Sequence, residues 1–207
     1  MSIELWAAFA AASTILVLIP GPTVLLVVAY ALGAGRSTAL WTVAGVFFGD
    51  LVAITASVLG LGVLLATSAT LFNILKIVGG IYLIWLGIKL WKAPRNSEAI
   101  NARASSQSGW RMMGHAFAVT ATNPKGLVFF VAFLPQFVDA SAPLAPQMAI
   151  MVATFTVIGA LNALVYAYAA GSLRNRLTRP GVLGMLNRGG GGALMAMGAA
   201  TFFTTRV

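Results

Sequence analysis

Two ionisable residues, Asp50 and Lys125, stand deep inside apolar stretches of the chain. Asn123 and Pro124 immediately precede the lysine, and Pro20, Gly21 and Pro22 interrupt the first apolar stretch. These are the side chains whose types and spacing can do chemistry. A carboxylate and an ammonium can hold each other, line a pathway or grip a zwitterion between them. A proline inside a helix removes a backbone donor and crowds the preceding turn, so "PGP" and "NP" are expected to break or kink their helices. Backbone groups freed that way are tolerated at membrane depth only where they face protein or a watery cavity. A lone proline often just bends a helix for packing, whereas two breaks at corresponding places point to a central binding site.

The elements that must position these residues are membrane spans. Of 207 residues, 59% are hydrophobic and 8% charged, which is the composition of a membrane protein. A window of about 19 residues gives six spans, at roughly 5–32, 39–66, 73–91, 112–138, 146–171 and 186–204. The first has no basic leader and no obvious cleavage site, so it reads as a retained helix. The expected fold is an all-α integral membrane protein with one transmembrane domain over 1–207. A polar, cytoplasmic linker at about 93–110 divides it into a first repeat at about 1–92 and a second at about 111–207. Three spans per half is an odd number, so homologous halves would lie inverted with respect to each other. A shift of 112 positions lays Asn162 on Asp50 and Gly191 on Gly79. Pro124 stands 102 positions from Pro22, so the second half needs about ten extra residues, which "DASAPLAPQ" can largely supply.

Asp50 lies about eleven residues into span two. At about 1.5 Å per residue that is roughly 17 Å deep, near the midplane of a core about 30 Å thick. Lys125 falls at a similar depth in span four. A charge there costs a few kcal/mol and usually lines a pathway or pairs with a partner. Asn162, also mid-span, is either hydrogen-bonding glue between helices or the neutral counterpart of Asp50. Lys76 is near enough to a span end to snorkel, and His115 reads as interfacial. Gly192, Ala196 and Ala200, spaced by four, permit close helix packing inside the protomer or in a homodimer. Ten of the thirteen basic residues fall on one side of the six spans, so the positive-inside rule puts both termini outside the cytoplasm.

Composition also excludes. The net charge of +9 does not indicate nucleic acid, because the cations sit in short loops and not on a soluble face interleaved with aromatics. With no cysteine and one histidine there is no thiolate or multi-histidine metal site, and no cofactor is implied. A metal exporter would be poorly served by one aspartate and an edge histidine. An intramembrane hydrolase lacks a partner for Ser57 or Ser68. A non-transport scaffold shares the hydropathy but has no use for charges beside two helix breaks.

The strings "PGPTVLLVVAYALGAGRS", "GVFFGD", "KIVGGIYLIWLGIKLWKA" and "TNPKGLVFFVAFLPQF" resemble the hallmark segments of the LysE/RhtB family of amino-acid exporters, in the same order and over nearly the whole chain. "GRSTAL" and "RGGGGALMAMG" fit that pattern less closely. The resemblance implies a bacterial inner-membrane efflux transporter with six hydrophobic segments, whose partners are an amino acid, protons and the lipid bilayer. It carries function to Pro20, Gly21, Pro22, Asp50, Asn123, Pro124 and Lys125. Helix ends at Gly21 and near Lys125 would present N–H groups to a substrate carboxylate. Lys125 would add its charge there, and Asp50 would pair with the substrate ammonium or take up a proton. Asp50 is the only carboxylate expected inside the membrane, which tilts the substrate toward neutral amino acids such as homoserine, threonine or leucine.

Overall fold

The computed structural model describes residues 1–34, 39–67, 69–92, 108–139, 141–177 and 180–203, which are helical with no strand among them. Most of the linker expected at 93–110 lies outside the described residues, as do Arg36, Arg95, Arg103, Arg179 and Arg206. So do the side chains of Lys76, Arg174 and Arg176.

Among the described residues, eight α-helices follow in order: α1 (Ile3–Leu18), α2 (Pro22–Gly33), α3 (Ala39–Thr67), α4 (Ala69–Trp91), α5 (Gly109–Ala121), α6 (Pro124–Phe133), α7 (Leu144–Leu177) and α8 (Pro180–Phe203). A 3-10 turn, Leu134–Phe137, extends α6. Helix α1 ends where Pro20 disfavours helical geometry in the residue before it, and Ile19 is extended at φ −69° and ψ 116°. Gly21 is extended as well, and Pro22, with φ preset for a helix, opens α2 at its first position. The axes of α1 and α2 differ by 55°. A second interruption separates α5 from α6: Asn123 is extended and Pro124 opens α6. The Asn123 side chain accepts from Lys125 N–H at 3.1 Å and so caps the new helix.

Helix α3 over Ala39–Gly60 and α7 over Leu144–Ala170 are long and apolar enough to cross a membrane, and α1 with α2 forms a bent third such segment. Leu59, Ile81, Leu161 and Val165 are each more than half exposed, an outer surface suited to lipid and not to water. Helix α7 runs past the expected end of span five, and α8 begins at Pro180, ahead of the expected 186. Hydropathy locates where apolar side chains stop. A helix goes on for as long as its backbone bonds do, through "RNRL" and through "GVLGM".

Helix α4 packs along α8, and α3 packs on α5 and α7. The α4–α8 backbones touch: a Cβ on Gly87 would lie 2.6 Å from Gly191 O, and one on Gly191 would lie 2.6 Å from Gly87 O. Within the protomer, the expected stripe of Gly192, Ala196 and Ala200 is not the line of closest backbone approach. The close approach uses Gly191 and Gly198, while Gly192 meets the Trp91 ring and Ala196 is exposed.

The buried apolar residues form two clusters. One is aromatic, built on Phe9, Phe129, Phe130, Phe133, Phe137 and Phe155, with Phe130 and Phe155 edge to face at 4.6 Å. The other is small and aliphatic, built on Val24, Val27, Val28, Val46, Ala163 and Ala167. Asp50 falls on α3 between Val46 of the second cluster and Ala53 of the first.

Candidate functional site

A helix that stops inside the protein leaves its last carbonyls without intrahelical donors. At the end of α1 each of them meets a side-chain donor from another helix. Lys125 Nζ donates to Leu16 O at 3.0 Å and to Ile19 O at 2.8 Å. Asn162 Nδ2 donates to Val17 O at 3.0 Å, and Tyr166 Oη donates to Leu18 O at 3.0 Å. Asn162 and Tyr166 are four apart on α7 and so share one face. The cation of Lys125 also complements the negative end of the α1 dipole.

The facing end, the start of α2, has a different chemistry. Gly21 occupies the N-cap and supplies no side-chain cap. Pro22 has no N–H, and Leu25 N donates to Gly21 O. Thr23 and Val24 therefore carry the first-turn N–H groups that have no acceptor in the helix. The Thr23 hydroxyl accepts from Asn123 Nδ2 at 3.2 Å and from Thr120 Oγ1 at 3.3 Å. A hydroxyl that accepts twice has its own proton left to donate. The α2 terminus thus offers two backbone donors and a hydroxyl at the positive end of a helix dipole, an arrangement that suits a carboxylate.

Both helix ends open onto one narrow cavity of about 50 Å³. Its polar lining comes from Thr23, Asp50, Thr120, Asn123, Lys125 and Asn162, and its apolar lining includes Val24, Val27, Val46, Phe130 and Phe155. The charges of Asp50 and Lys125 act on each other across it. Asp50 rests against α7 at a glycine. A Cβ built on Gly159 would overlap Asp50 Oδ2 and come within 3.3 Å of Asp50 Cγ. Gly21 is similarly placed against Lys125, whose Nζ is 3.4 Å from where a Cβ would stand.

Of the residues expected from sequence, Gly21, Asp50, Asn123, Lys125 and Asn162 come together around this cavity. Pro20 is buried, whereas Pro22 and Pro124 are exposed. These prolines shape the helix ends without lining the space between them. Sequence reasoning passed over Thr23, Thr120, Gly159 and Tyr166. Thr23 directly follows "PGP", Thr120 is one turn before Asn123, and Tyr166 is one turn after Asn162, so helical spacing from the chosen residues would have found them. Gly159 has no such signal. His115 is outside the cavity, exposed, with Nδ1 2.8 Å from the Tyr30 hydroxyl.

The LysE type translocator family model matches residues 14–205. The chain is 33% identical to the homoserine/homoserine lactone efflux protein of Salmonella typhimurium, over 96% of each chain. It is 35% identical to a leucine efflux protein of an Enterobacter species, over 61% of this chain and 60% of that one. An uncharacterized membrane protein of Vibrio cholerae is 29% identical over 96% of each chain. No solved structure matches.

Proposed function

The chain belongs to the LysE type translocator family, and on that premise we propose that it exports small neutral amino acids, homoserine or leucine among them, from the bacterial cytoplasm in exchange for protons. One observation carries the reading: the uncapped start of α2 and the Asp50 carboxylate line the same cavity. A free amino acid needs that pair of opposite ends. Its carboxylate docks on the N–H groups of Thr23 and Val24 and on the Thr23 hydroxyl, and its ammonium turns to Asp50. Its side chain meets Val24, Val27, Val46, Phe130 and Phe155, which suit an uncharged substituent. The efflux activities named for the relatives support the direction and the substrate class.

In the cycle, Asp50 holds either the substrate ammonium or a proton. Substrate is released to the periplasm and a proton is taken up from that same side, to be released into the cytoplasm before the next substrate binds. The two apolar clusters are the closures of the cavity. Phe130 and Phe155 belong to the cluster that includes Phe9 of α1, and Val24, Val27 and Val46 to the cluster built on α2. With both termini outside, the aromatic closure faces the periplasm.

Part of the packing supports six spans in two inverted repeats, while the α4–α6 contact has no comparable α8–α2 counterpart among the described residues. Pairing α1 and α2 with α5 and α6, α3 with α7, and α4 with α8 makes the α1–α7 contact correspond to α5–α3, and α2–α7 to α6–α3. The α3–α7 and α4–α8 contacts map onto themselves. Asn162 and Asp50, superposed by the shift of 112 positions, both line the cavity.

Counterflow tests the proposal. Proteoliposomes preloaded with unlabelled homoserine or leucine should accumulate the labelled form through the wild-type protein, and an Asp50→Asn variant should not. Accumulation unchanged in Asp50→Asn rules out Asp50 as the ammonium and proton site. Failure of the folded wild type with every neutral amino acid removes the substrate class.

A further inference from the structure

The carbonyls at the end of α1 divide into two kinds. Val17 and Leu18 are taken by neutral donors alone, the Asn162 amide and the Tyr166 hydroxyl, whereas Leu16 O accepts the Ile19 N–H at 3.3 Å and an ammonium as well. Leu16 and Ile19 converge on one ammonium, Lys125 Nζ, at 3.0 and 2.8 Å. Two converging carbonyl oxygens at the negative end of a helix, with a carboxylate across the cavity, are the ligands a hard monovalent cation takes. An ammonium spends two N–H groups on those oxygens and has a third. Gly21 lies beside the ammonium: a Cβ there would stand in ordinary contact with Lys125 Nζ and Cε, at 3.4 and 3.6 Å.

We propose that the carbonyls of Leu16 and Ile19 form a monovalent-cation site that the side chain of Lys125 fills from within the chain. The tethered ammonium does the work of a bound alkali ion. It neutralises the α1 terminus, holds the break in shape and fixes a positive charge beside the cavity without drawing on the surrounding solution. The same charge repels a second cation on a substrate, which adds to the preference for uncharged side chains. The site is built of α1 backbone and stands whether or not the substrate assignment above is correct.

The test is cation rescue in purified protein, read as melting temperature and not as transport. Lys125→Ala empties the site. In N-methyl-D-glucamine chloride, whose cation is too bulky to enter, the variant should melt below wild type. Titration with ethylammonium chloride or sodium chloride at constant ionic strength should raise its Tm saturably, by roughly 2–6 °C. Wild type should shift by much less in the same series. Lys125→Gln, neutral and closer in length, is titrated in the same way and takes the place of the alanine variant if that one does not fold. A Tm indifferent to cation identity overturns the proposal, and so does an equal rise in wild type. Amine acylation of the wild type followed by mass spectrometry is an independent check. Lys89 and Lys92, both exposed, should be modified while Lys125 is spared, and a Lys125 modified as fast as Lys89 also overturns the proposal.

Discussion

Gly159→Ala isolates the placement of Asp50 from its presence. The added methyl would overlap Asp50 Oδ2 and stand 3.3 Å from Cγ, so the carboxylate must rotate away or α7 must retreat from α3. Helix propensity alone favours alanine by about 0.5–1 kcal/mol in a helix interior. Overpacking costs about 1–3 kcal/mol, so the two nearly offset and the variant should fold, with a Tm within a few degrees of wild type. Transport should respond much more. A hydrogen bond between charged groups is worth about 1.5–3 kcal/mol; losing the one between Asp50 and a substrate ammonium lowers counterflow efficiency by about 10- to 150-fold. The double variant Asp50→Asn/Gly159→Ala should be no worse than Asp50→Asn alone, because the glycine acts only through the carboxylate. Additive losses would mean that Gly159 matters for α7 packing and not for Asp50. Wild-type counterflow in Gly159→Ala would refute the reasoning outright.

Tyr166→Phe removes the donor to Leu18 O and leaves a part-buried carbonyl unpaired, a cost of roughly 1–2 kcal/mol that should lower Tm by about 2–8 °C; an unchanged Tm would mean that water replaces the hydroxyl. At the start of the loop into α7, the Asp139 carboxyl is held below the usual carboxylate range by the Ser141 hydroxyl and N–H. Its folded value lies below its unfolded one, so its contribution is complete above about pH 4 and is lost as pH falls through the folded value. Protection of the Ser141 amide from hydrogen exchange, corrected for intrinsic rate, should drop in that acid range and lose its pH step in Asp139→Asn.

What the sequence made legible were features with a local cause. A proline removes a backbone donor and crowds the turn before it wherever it stands, so interruptions at "PGP" and "NP" were legible, and the helices end at Leu18 and Ala121. Buried charge is rare enough that Asp50 and Lys125 identified themselves. What stayed hidden depends on how helices rotate against one another. The backbone contact between α4 and α8 uses Gly191 and Gly198 and not the expected Gly192 stripe, because one residue is about 100° of helix and the partner chooses the face. The partner of Lys125 was hidden for the same reason. Pairing with Asp50 and gripping a substrate carboxylate were both open on paper, and neither reading contained the carbonyls of Leu16 and Ile19, since a backbone oxygen has no letter in the sequence.

That partner changes how the two breaks divide the labour. With Lys125 Nζ held by α1 carbonyls, the amino-terminal ends of the interrupted helices are not equivalent. The start of α6 already has its cap in Asn123, whose oxygen takes the Lys125 N–H, while the start of α2 has no side-chain cap. An anion entering the cavity therefore finds its free donors at Thr23 and Val24, with the Lys125 charge acting through space and not by contact. Asn123 links the two breaks, capping α6 with its oxygen and holding the Thr23 hydroxyl with its nitrogen. On the proposed function, a carboxylate drawn onto Thr23 would pull on the start of α6, and through Lys125 on the end of α1. Substrate occupancy can in this way be felt at both interruptions at once, which a carrier needs if filling one cavity is to shift two helices.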